Sequence, residues 1–113
     1  MQTSFLYIPD IYNMIDFDRI TGFDWDAGNE RKSADKHAVS QAETEQAFVN
    51  RPLLLMDDHS HSETEIRYHA YGRTNSGRLL QVSFTMRANK TLIRVISARP
   101  MSARERNRYA QET

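Results

Sequence analysis

"IRYHAYGRTNSGRLLQVSFTMRANKTLIRVISAR", residues 66–99, is the stretch whose reading decides the fold. Three runs within it, 66–74, 78–86 and 91–99, have strand length and are rich in β-branched and aromatic residues. The connections "NSG" at 75–77 and "RANK" at 87–90 are polar and short enough for hairpins, so the three strands are expected to form an antiparallel meander. Side-chain alternation then assigns faces. Arg67, His69, Tyr71 and Arg73 fall on one side, and Ile66, Tyr68, Ala70 and Gly72 on the other. In the next strand Leu80, Val82, Phe84 and Met86 oppose Gln81, Ser83 and Thr85. One face is therefore expected to be apolar and covered by helices, while the other displays cationic and hydrogen-bonding side chains. In the last strand Arg94 keeps the parity of Leu92 and Ile96, and Arg99 that of Ile93, Val95 and Ser97. An arginine among aliphatics requires an anionic partner or an edge position.

Working outward from the meander, "LLLMDD" at 53–58 has the length of a further strand and "ITGFDWD" at 20–26 that of a short one. Asp26 is a good N-cap for a helix over "AGNERKSADKH". Ser40 and Glu43 have capping-box spacing, which starts a second helix at Ser40; it should end near Asn50, because Pro52 blocks continuation. Pro100 stops the last strand, and Ser102 with Glu105 repeats the capping-box spacing ahead of "ARERNRYA". The order β-α-α-β-β-β-β-α predicts an α+β fold, with two N-terminal helices packed on an antiparallel sheet meander and a C-terminal helix.

A chain of 113 residues is the size of one domain. It has no cysteine, which removes disulfides and thiolate zinc sites and leaves the cytoplasm as the expected compartment. Residues 1–22 are moderately apolar, but Asp10, Asp16 and Asp18 interrupt them and no basic leader precedes them; neither a signal peptide nor a membrane span is expected. A formal net charge of zero conceals an asymmetry. Residues 1–65 carry 5 basic and 13 acidic groups, and residues 66–113 carry 10 and 2, so the halves stand at −8 and +8. Residues 93–109, "IRVISARPMSARERNRY", hold five of those arginines. A basic working surface on the second half follows unless folding interleaves the halves.

Arginine, tyrosine and histidine on one sheet face are the residue types that hold RNA, because guanidinium groups grip phosphates and aromatic rings stack on unpaired bases. His69 and Tyr71 on the strand, with Arg104 and Arg108 spaced i,i+4 on the last helix, are the candidates for RNA binding. An ordinary solvated strand and helix would carry many of the same residues. The loop "DDHSHSE" at 57–63 offers Asp57, Asp58, His59, His61 and Glu63 as potential metal ligands, but without any defined ligand spacing; an exposed acidic connection explains it better, and no metal site is assigned. Gly-rich phosphate loops, nucleophile elbows and dinucleotide fingerprints are absent, and no cofactor is implied.

The residues resemble the BrnT toxins of bacterial type II toxin–antitoxin systems, within the wider RelE/ParE-like ribonuclease fold. The likeness is carried by "FDWD" at 23–26, "KHAVS" at 36–40, "AF" at 47–48, "HSETEIRYHAYGR" at 61–73, "GRLLQVSFT" at 77–85 and "IRVISARPMSARERNRY" at 93–109. Ala38 stands where that family usually has glycine, and Met86 where an acidic residue is common. The resemblance implies a RelE-like toxin domain over residues 22–113, preceded by an N-terminal extension, 1–21, of unknown role. It implies a small metal-independent endoribonuclease, neutralised by a BrnA-type antitoxin that alone contacts operator DNA, in a possible 2:2 complex. RNA cleavage without metal needs a base for the 2′-hydroxyl, cations for the charged phosphorane and an acid for the leaving 5′-oxygen. Arg67, Arg73, Arg94 and Arg99 are the candidate phosphate and transition-state contacts, and Glu65, His61 or Tyr109 the candidates for proton transfer. Glu65 could instead pair with an arginine to order its loop, and Tyr109 could simply dock the last helix. The alternative from another class is a non-catalytic nucleic-acid or protein-binding module on the same fold; a metal-dependent phosphodiesterase built on the acidic loop is more distant.

Overall fold

The computed structural model describes residues 15–58 and 65–113. After a 3-10 turn at Phe17–Arg19 come β1 (Gly22–Asp24), α1 (Ala27–His37), α2 (Gln41–Val49), β2 (Leu54–Asp57), β3 (Tyr68–Arg73), β4 (Leu79–Arg87), β5 (Leu92–Pro100) and α3 (Ala103–Glu112). The local signals act as the sequence predicts. Asp26 accepts a hydrogen bond from the Gly28 amide at 2.8 Å at the head of α1. Both capping boxes form: Ser40 with Glu43 opens α2, and Ser102 with Glu105 opens α3.

The five strands form one sheet in the order β1-β5-β4-β3-β2. Strands β2 to β5 are an antiparallel meander. β1, however, runs parallel to β5, with Gly22 opposite Leu92 and Asp24 opposite Arg94, so the sheet is mixed rather than wholly antiparallel. The cause is topological. α1 and α2 carry the chain from β1 to the opposite edge of the sheet, where β2 runs counter to β1, and the three antiparallel steps from β2 to β5 end on a strand that points the same way as β1.

A second departure concerns strand parity. Ser83 pairs with Ser97 but Phe84 pairs with Val95, which leaves Ile96 as the extra residue of a β-bulge. The bulge reverses the alternation along β5. Ile93, Val95 and Ala98 are all in the core, while Arg94, opposite Thr85, and Arg99, opposite Gln81, lie on the same outer face. Strict alternation had set these two arginines on opposite faces. The Ala98 amide beside the bulge is satisfied by the Ser33 hydroxyl of α1 at 3.1 Å.

The main core lies between this sheet face and the first two helices. Phe84, with no exposure, packs its ring edge-on to Phe48 and against Tyr68, with centroids 5.1 and 5.3 Å away. Ile15 is buried in the same core, and Phe17 and Ile20 pack against it. The segment ahead of residue 22 is thus covered by the common core from Ile15 onward; residues 1–14 lie outside the described residues. Leu54, Met101 and Tyr109 make a smaller cluster with Tyr71 and Leu79, through which α3 docks on the opposite side of the sheet.

Ala38 ends α1 at φ +54°, with its amide and that of Val39 returning to the carbonyls of Ala34 and Ser33. A left-handed residue just past a helix favours glycine, which explains why alanine is an exception here. Ala38→Gly should stabilise the chain by about 0.5–1 kcal/mol, since the relief of left-handed strain exceeds the added unfolded-state entropy. Urea denaturation measures it. The terminus is also clamped: Arg78 donates to Ala38 O at 2.7 Å and His37 O at 3.1 Å, and pairs with Glu43 at 3.2 Å. The Glu43 carboxyl is held below its ordinary range, chiefly by the Ser40 amide and further by Arg78.

Candidate functional site

The outer face of the sheet was expected to display Gln81, Ser83 and Thr85. Instead these side chains are buried, at 4%, 9% and 2% exposure, because the face closes over itself with hydrogen bonds. His69, on β3, is the centre of that closure. Its Nδ1 lies 2.8 Å from Gln81 Nε2 and 3.0 Å from Ser83 Oγ, and its Nε2 lies 3.2 Å from the buried Asp58 carboxylate. An amide nitrogen can only donate, so Nδ1 is the acceptor and the Nε2 proton points at Asp58. The Thr85 hydroxyl donates to Ile66 O at 2.8 Å.

Arg94 reaches Asp24 and Asp26, each at 3.1 Å, which supplies the anionic partner its aliphatic setting demanded. Arg99 meets Glu105 through two parallel bonds of 2.8 Å. That guanidinium, with the Ser102 amide, draws the Glu105 carboxyl down from 4.5 to about 2. Arg73 is exposed at the end of β3; Arg67, half-buried just before that strand, has interactions of its own.

The carboxyl of Glu105 titrates lower in the folded chain than in the unfolded one. Its contribution to stability is therefore complete above pH 4.5 and is lost as the pH falls through about 2. Solvent on the Arg99 side screens the pair, which reduces its worth to about 1–2 kcal/mol. Glu105→Gln should be less stable than the parent by that amount at neutral pH, and the gap should close in acid; thermal melts across the pH range measure this.

The two described proton-transfer candidates, Tyr109 and Glu65, have separate partners. Tyr109 is buried and donates its hydroxyl to Pro52 O at 2.6 Å, the docking geometry for α3, and burial raises its pKa. Glu65 is exposed and paired with Arg87. His61 lies outside the described residues, as do His59 and Glu63 of the acidic loop. Among the described residues no group of three or more potential metal ligands comes together.

The RNA-binding candidates are brought together more closely. Tyr71, Arg104 and Arg108 line one open cavity of about 290 Å³ with Leu54, Ser102 and Glu105. His69 stands beside it, its ring edge-on to that of Tyr71 at 6.3 Å. Asp58 and Glu105 were not singled out for this face. Asp58 was read only as a member of the loop, because its alignment with His69 depends on the β2–β3 register. Glu105 was read only as a cap, although its place six residues after Arg99, across Pro100, was a usable signal.

This is a small α+β domain with a mixed five-stranded sheet, two helices on one face and an arginine-lined outer face. Residues 25–105 match the family described as "Ribonuclease toxin, BrnT, of type II toxin-antitoxin system", and the chain belongs to that family. Among solved structures it is similar to the 1.1 Å crystal structure of the Brucella abortus ribonuclease toxin, BrnT. The TM-score is 0.52 at 20% identity, over 73% of this chain and 97% of that one, a likeness of fold. No curated protein matches the chain. No helix among the described residues is long and apolar enough to cross a membrane.

Proposed function

We propose that the chain is a toxin that cleaves RNA without a metal ion, on a RelE/ParE-like fold, and that a BrnA-type antitoxin holds it inactive in the cytoplasm. The observation that carries this reading, beyond family membership, is the convergence of Tyr71, Arg104 and Arg108 on one cavity beside His69. Cleavage requires the 2′-oxygen to lose a proton as it attacks phosphorus, and the 5′-oxygen to gain one as it leaves. Arg67 and Arg73 serve as phosphate contacts, with Arg94 and Arg99 oriented on the same face by their carboxylate partners. His61 and Glu65 supply the proton-transfer groups. The antitoxin covers this basic face with acidic and apolar residues, and it alone contacts operator DNA; a dimeric DNA-binding region gives a 2:2 complex.

The test is cleavage of a labelled RNA by purified, antitoxin-free protein in EDTA. Activity that appears only on addition of a divalent cation rejects the metal-free mechanism. The commitment of Arg94 and Arg99 to carboxylates favours the second reading, a binding module without chemistry. RNA binding without cleavage under either condition would establish that reading.

A further inference from the structure

We propose that the cavity between β3 and α3 is a subsite for one unpaired nucleotide of single-stranded RNA, with its base against Tyr71 and its phosphate between Arg104 and Arg108. The inference rests on the ribonuclease reading and assigns it a place where substrate is gripped. At about 290 Å³ the cavity is at the small end of ligand sites, suited to one planar group rather than to a folded element. One wall is aromatic and aliphatic, and the rim is cationic. This pairing of surfaces matches a nucleotide, whose base has two apolar faces and whose phosphate is anionic.

The charges in the cavity are arranged for an anion. Glu105 is its acidic lining residue, and its oxygens are occupied by Arg99 at 2.8 Å on both and by the Ser102 amide at 2.8 Å on one. Its charge is thereby offset locally, and the exposed guanidinium groups of Arg104 and Arg108 determine the field at the rim. Successive turns of α3 place these two side chains on the same side of the helix, close enough to share a phosphate. Arg108 makes an exposed i,i+4 pair with Glu112 at 2.8 Å, a contact weak enough to yield to a phosphate. Tyr71 is half-buried and has His69 edge-on beside it, so its ring is ordered before the base arrives and little entropy is lost on stacking.

The experiment measures binding of a mixed-sequence, fully 2′-O-methylated hexanucleotide, which lacks the attacking hydroxyl, to the full chain by fluorescence anisotropy at several salt concentrations. Tyr71→Leu, which keeps an apolar side chain but removes the ring, should weaken binding about tenfold. Arg104→Gln combined with Arg108→Gln, both at exposed positions, should lower the salt slope by about 0.7, the loss of one neutralised phosphate on a single strand. Unchanged affinity in the first variant together with an unchanged slope in the second overturns the subsite, provided the parent binds the hexanucleotide and cleaves RNA. A parent that does neither overturns the ribonuclease reading as well. Variants that lose the antitoxin while keeping RNA affinity would assign the cavity to the protein partner and also overturn the proposal.

Discussion

Gly72→Ala is expected to destabilise the chain by more than about 3 kcal/mol, the range of a substitution that forces backbone elements apart. A Cβ built at Gly72 would lie 2.3 Å from the carbonyl oxygen of Ala47 and 3.1 Å from its carbon. These are backbone atoms of α2, which no rotamer change can move. Relief requires α2 to lift from β3, and that separates Ala47 and Phe48 from the core they help to fill. The melting temperature should fall by roughly 10–20 °C, the amount such a loss gives in a domain of about this size. A fall of less than 3 °C would show that α2 can shift at little cost.

Arg73→Ala should slow RNA cleavage by about 10²–10³-fold, the usual cost of removing one charged donor from a developing oxyanion. The fold should be untouched, because Arg73 is exposed at the end of its strand and truncating such a side chain changes stability by less than about 0.5 kcal/mol. Single-turnover cleavage beside a thermal melt tests both halves of the statement. Arg94→Ala makes the contrast. Its guanidinium joins Asp24 of β1 to Asp26 at the head of α1, so truncation leaves two carboxylates facing each other. Both activity and melting temperature should fall. Full activity in Arg73→Ala would remove that residue from the chemistry.

Features governed by neighbouring residues were legible in the sequence. Ser40 and Glu43, or Ser102 and Glu105, need only a helical turn between them to meet, and their spacing states the outcome. The hairpin between β3 and β4 was legible for the same reason, from its short polar turn. The parallel edge was not, since Gly22 and Leu92 are joined only after two helices and three strands have been placed. Nor was the bulge at Ile96, which looks like any other aliphatic residue in a strand and yet decides where Arg99 points. For the candidate site, alternation placed His69 and Tyr71 on one face correctly. It could not foresee that Gln81 and Ser83 would spend their polarity on His69, because that depends on which residues face one another across β3 and β4.

The parallel pairing of β1 with β5 also sets a schedule. Asp24 and Arg94 are separated by 70 residues, and a ribosome adding about 5–20 residues per second takes roughly 4–14 s to pass from one to the other. Throughout that interval β1 has no strand to lie beside and Asp24 has no guanidinium to hold. α3, with Arg104 and Arg108, emerges later still. A nascent chain thus lacks both the finished sheet and the cavity until β5 and α3 have been made.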